Sequence, residues 1–259
     1  MTKKLKNYTL TGVSIVAIFF VACSVAKYVP PPKMIISDYD YTPPSSGATG
    51  SANMKVALFK PTYAGAFTYS NKSPFKQFRN SMSKDLEEML TARGYIIKGP
   101  FDAYDFMTYS DKQECALGLF VDIDLDLEQT SGGWQIIPAT AKRGFVPATA
   151  GYQRYSGTLN LSGKISIYVA ETFTKQKLLI KSVPLPQSDF QVSADKNYEL
   201  GTTGIPLDNT GVHNPISSAL VDFYKTTMQQ AWNLIETSEL SHVNAQVPEI
   251  RKGAGFIKN

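Results

Sequence analysis

The side chains best suited to bind a ligand lie in residues 131–156, between two predicted strands. Trp134 and Tyr152 offer flat apolar faces on which a sugar ring can stack, and Lys142 and Arg143 can pair with a carboxylate. Glycines and small residues surround them, as is typical of a loop that a rigid sheet holds in place. The segment therefore predicts a ligand-binding loop, and a structural hairpin with ordinary surface charges is the alternative.

Cys23 is the second chemically suggestive position, because it ends a segment with the features of a bacterial lipoprotein export signal. Three lysines lie within the first six residues, an apolar run follows at residues 13–21, and Ala22 is the small residue before the cysteine. The run is much shorter than the roughly 20 residues that span a bilayer. We expect cleavage after Ala22 and acylation of the Cys23 thiol, with palmitate among the acyl chains. An uncleaved membrane helix or a soluble secreted protein is the alternative.

The charge balance argues against binding to nucleic acid. The whole chain carries a formal net charge of +4, and the three lysines of the signal account for three of these charges. The mature chain is then nearly neutral and lacks the cationic surplus that binding to phosphates requires. We therefore expect no nucleic-acid partner, and a membrane contact through the N-terminal lipid.

Recognisable catalytic and metal-binding motifs are absent from the sequence. His213 and His242 are the only histidines, and HExxH, GxSxG and paired CxxC motifs do not occur. Asp122, Asp124 and Asp126 lack the glycine and glutamate of a calcium loop, and they alternate with apolar residues as a strand does. We therefore expect no enzyme activity, no metal ion and no cofactor.

Two further features have a structural explanation. Once Cys23 is acylated, Cys115 has no partner for a disulfide, and its place at the start of an apolar strand predicts a buried thiol. Gly157 and Gly163 precede Lys164 at a spacing one residue too long for a phosphate loop, so strand periodicity is the better interpretation.

Periodicity places these residues on an α+β framework. Apolar residues recur at helical spacing over residues 75–90 and 216–235, and each stretch follows a capping residue and a proline. A strand on either side of the first helix predicts a parallel pair, whereas strict alternation over residues 117–128 and 159–169 predicts two long strands with one buried face each. We expect a two-layer α+β sandwich, in which a mainly antiparallel sheet carries two long helices on one face.

The same pattern divides the chain into four segments. We expect a signal peptide at residues 1–22, a lipidated tether rich in proline, glycine and serine at residues 23–54, a globular α+β domain at residues 55–240 and a C-terminal tail at residues 241–259. Fully extended, the tether reaches about 100 Å at about 3.3 Å per residue, which would hold the domain clear of the membrane.

Several patches of sequence together point to one family. They are Cys23 with its signal, the runs Lys60-Pro61-Thr62-Tyr63 and Tyr69-Ser70-Asn71, the helix end at residues 90–95, and the order of the long strands and the closing helix. In these patches the chain resembles the neuraminyllactose-binding hemagglutinin lipoproteins, the HpaA-like adhesins. The resemblance spans almost the whole chain. It implies a lipid-anchored protein of the outer membrane, at the cell surface or in the flagellar sheath, that binds sialic acid on host glycans.

One departure from the family pattern bears on the ligand. The family's sialic-acid motif is a short run with several lysines and arginines, and its nearest match here is Lys142–Arg143, followed by Gly144 and Phe145. The loss of most basic donors is consistent with a paralogue of the adhesin that kept the fold and the anchor. The alternative function is a periplasm-facing accessory lipoprotein that binds an envelope or flagellar-sheath protein.

Overall fold

The structure is a computed structural model that describes residues 32–44, 54–137, 152–197 and 203–256. It has the α+β architecture that the sequence predicts. The strands are β1 (Lys55–Phe59), β2 (Thr62–Tyr63), β3 (Ile96–Phe101), β4 (Leu117–Ile137), β5 (Tyr152–Glu171) and β6 (Lys177–Asn197). The helices are α1 (Phe75–Ala92), α2 (Tyr109–Glu114), α3 (Thr210–Leu234) and α4 (Thr237–Gly253), with a short 3-10 helix at Tyr104–Phe106.

All six strands belong to one mixed sheet. Its order is β3-β1-β4-β5-β6, and β2 pairs with β4 beside the end of β1. β1 runs parallel to both β3 and β4, which confirms the predicted parallel pair around α1. The three long strands β4, β5 and β6 are antiparallel neighbours, so most of the sheet has the predicted antiparallel character. β6 lies at an edge of the sheet, and its middle carries Pro184 and Pro186.

The main core lies between one face of this sheet and the helices α1 and α3. The inward positions of β4 and β5 predicted from alternation are buried, and so is the apolar stripe of α1. Burying one such aliphatic or aromatic side chain stabilises the fold by about 1.5–3 kcal/mol relative to leaving it exposed. The stripe consists of Phe75, Phe78, Met82, Leu86, Met89 and Leu90.

A smaller core lies on the opposite face of the sheet. Ala57 and Phe59 of β1 pack there against Met107 and Cys115, under the segment that carries α2. Burial raises the pKa of the Cys115 thiol to about 11, which agrees with a structural thiol. The Phe120 ring continues this apolar surface, because its centroid lies 4.0 Å from that of Phe59.

Residues 241–253 are helical and belong to the folded domain rather than to the tail that the sequence predicts. Leu240, Val243 and Val247 of α4 are buried in the main core. Only three apolar positions mark this face, and Pro248 interrupts the pattern, so the helical period is weak in the sequence.

Part of the predicted tether also belongs to the domain. Residues 33–41, which we call the strap, have no regular secondary structure and lie against α1 and α3. Tyr39 is buried in the main core, and its ring packs against those of Phe78 and Tyr224 at centroid distances of 5.5 and 5.6 Å. The remaining residues of the predicted tether and the signal segment, including Cys23, lie outside the described residues, except for residues 32, 42–44 and 54.

Candidate ligand-binding surface

The predicted binding segment lies at the far end of the three long strands. Beyond Ile123, the pairings of β4 are with β5 alone, because its ladders with β1 and β2 have ended. We call this outer part of the sheet the β arm, comprising residues 128–137, 152–160 and 188–197. At about 3.3 Å per residue, the 21 residues of β4 extend about 70 Å, so the β arm reaches well past the β1 end of the sheet.

The register between β4 and β5 places Trp134 and Tyr152 on opposite faces of the β arm. Trp134 lies directly across from Tyr155, and Tyr152 lies across from Ile137. Successive side chains of a strand alternate between its two faces, so Tyr155 and Tyr152 point to different sides. The two rings that the sequence offers for stacking therefore cannot hold the same sugar.

Trp134 makes contacts within the folded domain. Its indole Nε1–H donates to the Gly204 carbonyl at 2.9 Å, and its ring meets that of buried Tyr155 edge to face at a centroid distance of 5.3 Å. The Tyr155 hydroxyl in turn donates to Gln129 Oε1 at 2.8 Å. These contacts join the β arm to the segment before α3, and they make Trp134 a structural residue.

Tyr152 lies on the opposite face beside an ion pair. Arg154 donates from Nε and Nη2 to the two carboxylate oxygens of Asp195 on β6, at 2.7 and 3.0 Å. The guanidinium lies 5.6 Å from the Tyr152 ring centroid. The Arg154 hydrogen bond lowers the pKa of Asp195, so the pair stays ionised and Arg154 is committed to it. Its role is to position the half-buried Tyr152 ring.

Lys142 and Arg143 lie outside the described residues, in the connection between β4 and β5. The two ends of that connection, Ile137 and Tyr152, are register partners. Lys142 is five residues from Ile137, and five residues reach at most about 18 Å.

A polar cleft that the sequence does not predict lies between the connection from β1 to β2 and α1. It has a volume of about 320 Å³ and contains two cationic side chains, Lys60 and Arg79. Lys60 pairs with Asp102 at 2.6 Å, and the Arg79 guanidinium lies 5.9 Å from the ring centroid of Tyr63. In the sequence, the run Lys60-Pro61-Thr62-Tyr63 is the one feature that points to this cleft. The contact between this run and α1 is a tertiary contact, which no local sequence pattern predicts.

The described residues also contain one hydroxyl–imidazole contact. Ser73 Oγ lies 2.8 Å from His213 Nε2, so the start of α1 is tied to the first turn of α3. His213 is buried, which lowers its pKa, and its Nδ1 has no carboxylate to orient it. The contact therefore gives His213, which lies inside α3 and not at its N-cap, a structural role between the two helices. Within the described ranges no group of three histidine, cysteine or acidic side chains is placed to hold a metal ion.

No helix in the described ranges combines the length and the hydrophobicity that a membrane crossing requires. No family model matches the sequence, and no curated protein matches it either.

Comparison with solved structures relates the chain to a protein from Helicobacter pylori assigned as a neuraminyllactose-binding hemagglutinin homolog. The two are 12% identical, the alignment covers 83% of this chain and 100% of the other, and the TM-score is 0.55. A lipoprotein from Neisseria meningitidis, 11% identical over 65% of this chain and 96% of the other, has a TM-score of 0.25 and supports no inference. The chain therefore shares the α+β fold of the Helicobacter protein, and the likeness extends to the fold alone.

Proposed function

We propose that this chain is a lipid-anchored outer-membrane protein that binds a sialylated glycan at the end of its β arm and catalyses no reaction. One observation carries the proposal. The register places Tyr152 on the face opposite Trp134, directly after the connection that contains Lys142 and Arg143. In this proposal, the ring and the two cations act together at one end of a rigid sheet.

Each side chain has a distinct task in this proposal. Tyr152 offers one face of its ring to the sugar, while the Arg154–Asp195 ion pair holds the ring from its side. Lys142 and Arg143 supply the positive charge that pairs with the carboxylate of the sialic acid. Trp134, whose indole N–H is already paired with the Gly204 carbonyl, is not part of the ligand set.

Two further observations support the anchor and the ligand class. The first six residues, the apolar run and Ala22–Cys23 have the order of a lipoprotein signal. The fold is shared with a Helicobacter pylori protein whose assignment names neuraminyllactose binding and hemagglutination. The anchor is tested by metabolic labelling with a palmitate analogue, which should label the wild type and fail in Cys23→Ser. Persistent labelling of that variant contradicts the anchor.

The glycan site is tested with sialylated and desialylated glycans. Lys142→Ala/Arg143→Ala should weaken binding to sialosides at least tenfold, and wild-type binding should fall as the salt concentration rises. The matched control is Lys225→Ala/Lys252→Ala, which removes the same charge from exposed positions on α3 and α4. Tyr152→Ala should weaken binding to both glycans, because it removes stacking. Equal binding by wild type and the Lys142→Ala/Arg143→Ala variant contradicts the proposal.

The edge strand favours a second candidate function, an accessory lipoprotein that faces the periplasm and binds an envelope protein. β6 is 21 residues long and lies at the edge of the sheet, where an extended segment of a partner can add as a further strand. Protease treatment of intact cells separates the two functions. A surface adhesin is cut, whereas a periplasm-facing protein is protected until the outer membrane is opened.

A further inference from the structure

Three consecutive apolar side chains are exposed where the strap begins. Met34, Ile35 and Ile36 are 39%, 49% and 75% exposed, and they are three of the nine large apolar side chains that are exposed in the described ranges. Isolated apolar residues are ordinary on protein surfaces. A contiguous group on a folded element instead marks contact with another apolar phase.

Hydrogen bonds to α3 hold these side chains in place. The Ile35 amide donates to Asn214 Oδ1 at 2.9 Å, and Asn214 Nδ2 donates to the Lys33 carbonyl at 3.1 Å. On the other side of the group, the hydroxyls of Ser37 and Ser217 are 2.6 Å apart. The group is therefore displayed by the folded domain.

The length of chain before the strap identifies what covers the group. Met34 is the eleventh residue after Cys23, so the two are at most about 40 Å apart if the chain between them is extended and about 18 Å apart if it is a relaxed coil. We propose that Met34, Ile35 and Ile36 rest in the interfacial layer of the phospholipid bilayer that holds the acyl chains of Cys23. This inference rests on the lipid anchor of the proposed function.

Two lysines lie beside the group, and the exposed Asp38 follows it two residues after Ile36. Lys33 precedes it in the strap, and Lys72 lies across a cleft of about 470 Å³ whose lining includes Met34. Asp208 is the one carboxylate among the lining residues of that cleft. Cations beside an apolar group match the order of a bilayer, in which phosphates lie above the acyl chains.

The test uses the mature acylated protein with Ile36→Cys, labelled with an environment-sensitive fluorophore and reconstituted in phosphatidylethanolamine–phosphatidylglycerol vesicles. Cys115 is buried and Cys23 is acylated, so the dye reacts at position 36. Ile180→Cys on β6 is the matched control, since Ile180 is also exposed but lies on the sheet. We expect blue-shifted emission at position 36, at least twofold quenching by lipids brominated on the acyl chains, and neither effect at position 180.

Three results would overturn the inference, and they differ from one another. Emission at position 36 like that at position 180 shows that the group stays in water. A blue shift without quenching by brominated lipids shows burial against protein, with a second copy as the occupant. Protein that fails to float with the vesicles refutes the lipid anchor itself, and the proposed function fails with it.

Discussion

Asp85 on α1 and Glu171 at the end of β5 are both carboxylates removed from solvent, yet their surroundings differ. Asp85 is 1% exposed and accepts two hydrogen bonds, from the Tyr224 hydroxyl at 2.6 Å and the Tyr41 amide at 2.8 Å. Glu171 is fully buried and accepts a hydrogen bond from Arg251 Nε at 2.7 Å. Two backbone amides and one hydroxyl of the following turn also donate to Glu171, within 2.9 Å.

These surroundings move the two pKa values in opposite directions. Burial raises the pKa of Asp85, because two neutral donors do not replace its lost hydration. Burial acts on Glu171 in the same way, but the amides of Thr174 and Phe173 and the Arg251 guanidinium outweigh it and hold the pKa below its usual value. The fold tolerates the Asp85 carboxylate, where the strap and α3 meet α1. It favours the ionised form of Glu171, where α4 meets the sheet.

The largest expected effect comes from removing the cation beside Glu171. Arg251→Met leaves a fully buried carboxylate without its charged partner and removes the hydrogen bonds to Thr172 and to the Lys112 carbonyl. We expect the free energy of unfolding at pH 7 to fall by about 3 kcal/mol or more, measured by urea denaturation. The neighbouring exposed residue Lys252 provides the control, because Lys252→Met should change the free energy of unfolding by less than about 0.5 kcal/mol. Equal effects of the two substitutions contradict this account of α4.

Neutralising Glu171 should have the next largest effect. Glu171→Gln replaces one acceptor oxygen with an amide that faces donors, and we expect a loss of about 2 kcal/mol at pH 7. Because the folded pKa of Glu171 lies below its unfolded value, its contribution is present at neutral pH and is lost as the pH falls below about 4.5. The difference between the variant and wild type should therefore shrink in acid. A difference that is constant from pH 7 to pH 3 would show that the ionised form is not favoured by the fold.

Removing one neutral donor from Asp85 should cost less. Tyr224→Phe deletes the hydroxyl that lies 2.6 Å from the carboxylate and keeps the ring that packs against Tyr39 and Phe78. We expect a loss of about 1–2 kcal/mol, because the carboxylate keeps only the Tyr41 amide. Thermal unfolding followed by circular dichroism measures the loss. The double variant Tyr224→Phe/Asp85→Asn should recover part of it, and no recovery would assign the effect to packing of the ring.

The smallest effect, and the one opposite in sign to that of Glu171→Gln, is expected for Asp85→Asn. The amide oxygen can still accept from both donors, and no charge remains to be desolvated. Because the folded pKa of Asp85 is raised, its ionisation costs stability above the unfolded pKa. The variant should therefore be more stable than wild type by up to about 1 kcal/mol at pH 7, and the advantage should fade as the pH falls toward about 3.8. Destabilisation at pH 7 by as much as Glu171→Gln would erase the contrast between the two sites.

Elements with a regular apolar period could be predicted from the sequence, and contacts between distant segments could not. The buried residues of α1, β4 and β5 repeat at fixed spacing, so the apolar pattern alone predicts which positions face the core. Arg251 and Glu171 are 80 residues apart, and the strap meets α3 about 180 residues later. No local pattern links such pairs.

In the candidate site, one bulge residue on β4 decides a feature that the sequence could not predict. The register of β4 with β5 shifts between Gln129 and Ser131, where Thr130 is the extra residue on β4. Without that bulge, Trp134 and Tyr152 would share a face, because a shift of one residue moves every later side chain to the other side of the strand. The sequence could therefore place both rings at one end of the sheet, but it could not show that they face apart.

The two prolines of β6 have a consequence for crowded copies of the protein. Where copies meet at high local concentration, a long edge strand is a template for strand-by-strand growth into fibrils. Pro184 and Pro186 have no amide N–H to donate, so they divide the 21-residue edge into two shorter stretches. A continuous ladder between two copies along the whole of β6 would lack the amide hydrogen bonds at both prolines, which disfavours this mode of association.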